Sequence, residues 1–178
     1  ISKDGYGDML LEPLVEAKVK LLLPERVDAP TTKAIVNFDE RHNARYRFER
    51  GADRAFTLEQ LLAALPERLE AFEIGGFSPI EAKDAEIWLA VAREASRRGA
   101  VLTMDPNVRP QGLDFASYKP RLSAFLDIVG LVKMSIEDLA ALDRSAEVKA
   151  ADLSAEETEA IVAKYVDELL RRPHIGLV

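Results

Sequence analysis

Between Glu73 and Val178 the chain alternates short apolar runs with amphipathic helical stretches, and this alternation limits the available folds more than any other feature of the sequence. The runs are EIGGF (73–77), VLTMD (101–105), DIVGLVK (127–133) and HIGLV (174–178), each of buried-strand length. From Glu81 onward, Ile87, Trp88, Val91, Ala92 and Ala95 share one helical face, and Gly99 stands where a helix C-terminus favours glycine. SAEETEAIVAKYVDELLRR repeats the pattern with Ile161, Val162, Tyr165, Val166, Leu169 and Leu170, and Ser154 with Glu157 forms a capping box at its start. Strand, helix, strand implies parallel pairing through right-handed crossovers and a sheet covered on both faces. Ligands then collect outside the carboxyl ends of the strands.

The strand exits are polar in succession. EIGGF runs into Ser78 and Pro79, VLTM into the stiff loop DPNVRP with Asp105, Asn107 and Arg109, and DIVGLV into Lys133, Ser135, Glu137 and Asp138. Each also has a plain structural reading. Asp105 can order its own loop as an Asx turn between ordinary turn prolines, and Arg109 can sit in an exposed ion pair. Ser135 with Asp138 fits an N-cap opening the helix IEDLAAL, and the EIGGF glycines can serve close backbone packing. His42 and His174 lack the paired spacing of a metal site.

The first third has a different period. TTKAIVNF (31–38) and ARYRFER (44–50) alternate across the connection DERHN, which predicts a β-hairpin acting as a flap, a lid or a pairing edge, with Tyr46 and Phe48 as packing residues. At 178 residues, 48% hydrophobic and 31% charged, the chain reads as one globular domain spanning 1–178, with the hairpin region at 20–50. A net charge of -7 with scattered basic residues disfavours nucleic acid, and no apolar run reaches bilayer length. The absence of cysteine excludes disulfides and thiolate chemistry, so a cytoplasmic protein is expected.

Read in order, KDGYGD, DAPTTKAIV, YRFERGADRAFT, IGGFS, DPNVRP and VKMSIEDLAAL resemble the segments of the PfkB or ribokinase-like carbohydrate kinases, the fructokinases above all. The resemblance covers nearly the whole chain; DPNVRP together with the KxSxED run is its most specific part. It implies an α/β fold with a parallel sheet flanked by helices and a small β-sheet lid, and transfer of a phosphoryl group from ATP to a hydroxyl of fructose or a related sugar. A 2-keto-3-deoxygluconate kinase, a nucleoside kinase and a non-catalytic sugar-binding relative are the alternatives.

By the same resemblance Arg109 is catalytic, its fork of donors suited to a phosphoryl group whose charge is spreading. Thr31, Thr32, Arg47, Arg50 and Asn107, with Arg109, are expected on the sugar, and Lys133 and Ser135 on ATP. Asp138 and Glu137 are expected to serve Mg²⁺, as oxygen ligands suit a hard cation. Ser135 and Asp138 stand where the family motif has Asn and Glu, and Glu49 stands where fructokinases commonly carry tyrosine, which leaves the sugar open. The family's Gly-Gly-x-x-x-Asn and Gly-Ala-Gly-Asp motifs are absent, and the second carries the catalytic aspartate. The expectation is therefore an incomplete domain, inactive alone, with a homodimer through the lid.

Overall fold

The computed structural model describes residues 1–38, 44–76 and 78–178. The DERHN connection, including His42, and Phe77 of the EIGGF run lie outside the described residues. The chain packs as two compact units, Ile1–Leu65 and Pro66–Val178.

The first unit contains α1 (Gly5–Glu16), the hairpin strands β1 (Lys33–Phe38) and β2 (Ala44–Glu49), and α2 (Leu58–Ala64). β1 and β2 pair antiparallel with Lys33 opposite Glu49 and Val36 opposite Tyr46, as their alternation predicts. Tyr46 and Phe48 stack with ring centroids 6.3 Å apart. The opening residues make a single parallel bridge from Ser2 to Val27 and then enter α1.

A carboxylate organises this entry. Asp4 caps α1 through Gly7 N–H at 2.8 Å and also receives Thr31 N–H at 2.8 Å and the Thr31 hydroxyl at 2.6 Å. The Thr31 hydroxyl leads the set of hydrogen bonds that hold its carboxyl far below the usual carboxylate range. A second junction lies at Gly51, where an added Cβ would stand 2.0 Å from the Pro30 carbonyl oxygen, so only glycine lets the chain pass.

The second unit carries β3 (Ala71–Gly75), α3 (Ala85–Arg97), β4 (Val101–Asp105), α4 (Phe115–Leu126), β5 (Leu131–Val132), α5 (Ile136–Arg144) and α6 (Ala155–Leu170). The strands form a parallel sheet in the order β3-β4-β5, and Leu177 adds one parallel bridge to Leu131. Val101–Asp105 forms a strand as expected, and α3 and α6 begin and end within a few residues of their sequence limits. DIVGLVK does not form one strand. Asp127 ends α4 with its N–H on the Ser123 carbonyl, Ile128 and Val129 continue that turn, and pairing starts only at Leu131.

Among the described residues of this unit, the helices that pack on the sheet lie on one face. Consecutive right-handed crossovers that advance in one direction put their helices on one face. That face holds Ile74, Leu102, Met104 and Val132 against Ala92 and Ala95 of α3, Phe115, Leu122 and Phe125 of α4, and Leu142 and Leu169 of the last helices. The alternate residues stay accessible: Val101 is 57% exposed, and Glu73 is exposed beside Thr103. Helix α6 is likewise only half committed. Ile161 packs with Leu139 and Ala140 of α5, whereas Val162 and Val166 line a cleft of about 480 Å³ with Leu131 and Leu177, and Leu170 is 52% exposed.

Two outcomes follow from these packing relations. Phe125 is 1% exposed at the centre of the core, so Phe125→Ala should destabilise the fold by about 3–5 kcal/mol in denaturant titrations. The depressed Asp4 carboxyl contributes stability that is complete above its unfolded pKa of about 3.9 and fades as pH falls towards its folded value. Asp4→Asn should therefore lower the thermal midpoint at pH 7, and the gap from wild type should close on acidification below about pH 4.

Candidate functional site

Strand register gathers the polar exits of the second unit. Thr103 pairs with Leu131 and Met104 with Val132, so Asp105 and Lys133 leave the sheet side by side. The Lys133 ammonium meets Asp105 Oδ2 at 2.8 Å, and this hydrogen bond, helped by the charge, pushes the lysine above its ordinary pKa. On the other side Gly76 N–H donates to the Asp105 carbonyl at 3.0 Å, which joins the β3 exit to the same edge.

The DPNVRP loop is built around Asn107. Its φ of 44° is left-handed, a conformation that Asn tolerates better than most residues, and its N–H donates to Asp105 Oδ1 at 3.2 Å in the expected Asx turn. Pro106 and Val108 are buried and anchor the loop. Arg109 follows, half-buried, with Nη1 3.2 Å from the Val108 carbonyl and 3.4 Å from that of Asn107.

Ser135 and Asp138 form the capping box of α5, so the structural reading of this pair is realised. The carboxylate does more than cap. Oδ2 accepts the Ser135 N–H and hydroxyl, each at 2.8 Å, while Oδ1 accepts Val108 N–H at 2.6 Å. Asp138 is 3% exposed and ties the β5 exit to the β4 exit, one residue from Arg109. Tyr118 of α4, which sequence reading passed over, lies buried nearby. Its hydroxyl has no hydrogen-bond partner among the described residues, and burial, reinforced by the charge of Asp138, raises its pKa well above that of an ordinary phenol.

Arg109, Asn107, Lys133, Ser135, Glu137 and Asp138 thus collect at one end of one sheet. The fit to a metal is uneven. Asp138, expected beside Mg²⁺, is buried with its oxygens occupied by three donors, which does not suit direct coordination. Glu137 is exposed in the first turn of α5 and has a carboxylate that water and a hard cation can reach. Among the described residues no group of three or more His, Asp or Glu side chains could hold a metal unaided.

Of the residues expected on the sugar, Thr31, Thr32, Arg47 and Arg50 are held within the first unit by its own carboxylates. Thr31 is buried and donates to Asp4. Thr32 donates to Asp53 and accepts Gly51 N–H at 2.9 Å, and Arg50 pairs with Asp53 at 2.5 Å. Burial pushes Asp53 upward, but these hydrogen bonds outweigh it and leave the carboxyl below its ordinary pKa. Arg47 lies exposed on β2 and meets Glu49 at 2.8 Å; Glu49 also reaches Lys33 across the hairpin at 3.1 Å. His174 contacts the Leu126 carbonyl at 2.8 Å.

No protein-family model matches the sequence, and no curated protein matches it significantly. Solved structures do. The fructokinase from Xylella fastidiosa is 27% identical over 97% of this chain and 53% of its own, with a TM-score of 0.72. The same fructokinase with bound ATP gives 26% identity, coverage of 97% and 52%, and a TM-score of 0.71. The ribokinase from Giardia lamblia shares the fold at 19% identity and a TM-score of 0.61, over 94% of this chain and 47% of its own. The chain thus spans about half the length of the structures it matches.

The left-handed turn at Asn107 can be tested directly. Asn107→Gly should leave stability within about 0.5 kcal/mol of wild type, whereas Asn107→Val should cost about 1–2 kcal/mol, since a β-branched side chain clashes in that conformation. Chemical denaturation of both variants checks the difference.

Proposed function

We propose, for a chain that has the ribokinase-like α/β fold and resembles the PfkB carbohydrate kinases, that the whole protein transfers the γ-phosphoryl group of ATP to a hydroxyl of fructose or a related sugar. The observation that carries this reading is the convergence of Arg109, Lys133 and the α5 N-terminus at the carboxyl edge of one parallel sheet, where α/β folds bind their ligands. The likeness to a fructokinase crystallised with ATP supports the nucleotide.

In this reading the Arg109 guanidinium meets the equatorial oxygens of the transferring group, where charge accumulates, and a planar fork of donors fits them. Lys133 supplies a second positive charge to the phosphates, oriented by Asp105, and Ser135 lies beside the nucleotide. Glu137 is the carboxylate suited to Mg²⁺, which when bound neutralises phosphate charge. Asn107 contributes to the sugar side, and Thr31, Thr32, Arg47 and Arg50 of the first unit are assigned to sugar recognition.

An attacking hydroxyl also needs a proton acceptor. Asp105 and Asp138 are engaged by Lys133 and by Val108 and Ser135, so neither is available for that role. Activity is accordingly expected of the whole protein and not of these 178 residues.

The test is an assay of the whole protein with MgATP against sugars, 2-keto sugar acids and nucleosides. Transfer to a ketohexose, with Arg109→Ala lowering kcat by about 10²–10³-fold and nucleotide affinity by far less, supports the assignment. Transfer to none of these acceptors, or an unchanged rate in Arg109→Ala, overturns it.

A further inference from the structure

We infer that Asp138 is a positioning residue for Arg109 and not a ligand of the metal: its buried carboxylate grips the backbone N–H of Val108, the residue that precedes Arg109, and so fixes where the guanidinium stands. This rests on the phosphotransfer reading above.

The geometry is specific. A carboxylate offers about four lone-pair directions, and three donors take up three of those of Asp138 at 2.6–2.8 Å. A cation entering there would have to shed its water to reach the one direction left, in a site only 3% exposed. The loop between Asp105 and Pro110 is otherwise pinned on its near side by the Asx turn and buried Pro106, and by the buried Val108 side chain. The Val108 amide is the point at which the neighbouring strand exit takes hold of it. Arg109 Nη1 also turns back to the Val108 carbonyl at 3.2 Å and the Asn107 carbonyl at 3.4 Å, so the guanidinium is referred to the same loop that Asp138 holds. Charge-assisted hydrogen bonds to a buried amide are short and strong, so the loop is held at a set distance from α5. A misplacement of about 1 Å in a group that acts on the reacting centre costs about 10²-fold in rate.

The test uses the whole protein as wild type, Asp138→Asn, Arg109→Ala, the double variant and Glu137→Gln, with three readouts. They are amide hydrogen exchange of the 105–112 segment, Mn²⁺ binding in the presence of a non-hydrolysable ATP analogue, and kcat. For Asp138→Asn, exchange of 105–112 should rise at least about tenfold while Mn²⁺ affinity stays within about twofold. Its kcat should fall about 10²-fold, and the double variant should be no more than about threefold slower than Arg109→Ala, since both substitutions disable the same group. Glu137→Gln should leave the exchange unchanged. Should Asp138→Asn fail to fold, Asp138→Glu carries the same expectation, because its longer side chain alters the grip on Val108: faster exchange of 105–112 at undiminished Mn²⁺ affinity.

Unmoved exchange, a loss of Mn²⁺ affinity of about tenfold or more, or multiplicative slowing in the double variant overturns the inference while wild-type transfer leaves the kinase reading standing. A wild-type protein that transfers no phosphate overturns that reading, and this inference with it.

Discussion

In-register parallel pairing of β4 with β5 is the constraint on which the polar end of the second unit depends. Met104 stands opposite Val132, and the Lys133 N–H continues the ladder to the Met104 carbonyl at 2.9 Å, so the two chains leave the sheet level with one another. Side chains alternate across a strand, and a slip of one residue would send Asp105 to the packed face. Everything polar at this edge follows from the register: the Asp105–Lys133 pair, the loop that Asp105 orders, and the approach of α5 to that loop.

The one-sided sheet has the same origin. Strands laid down in sequence order through crossovers of one hand place α3 and α4 together. The alternation of VLTMD already contains this result, because Leu102 and Met104 are buried while Val101 is exposed and Thr103 and Asp105 are half-buried. The expectation of two covered faces came from the succession of strands and helices, which is silent about direction. Direction is a property of strand order, and strand order is set by contacts between residues far apart in the chain.

Legibility varied with the strength of the local signal. The hairpin, α3, α6 and β4 were readable because an uninterrupted period coincides with caps such as Ser154 with Glu157. Three helices leave no such signal. α1 and α4 carry Pro13 and Pro120 in their interiors, residues that ordinarily end a helix, and α2 has seven residues, too few for a period to show. β5 is shorter than its apolar run because Ile128 and Val129 are apolar for the sake of the core below α4, not for pairing. At the site, the residue types at the exits were visible in the sequence. Their partners were not: that Asp138 would hold the Val108 amide, or that Thr31, Thr32 and Arg50 would each be tied to a carboxylate, is information of tertiary structure.

Asp138 acts as a spacer as well as an anion. Its single methylene lets one oxygen serve the first turn of α5 while the other reaches the adjacent loop at 2.6 Å, and the gap between two neighbouring loops equals the span of that side chain. Glutamate, the residue found at this place in the related motif, has the same charge and one more methylene. An exchange between the two acids is therefore a change of ruler, conservative in electrostatics and not in reach, and any lineage that lengthens it must let the DPNVRP loop retreat or give up the grip on Val108.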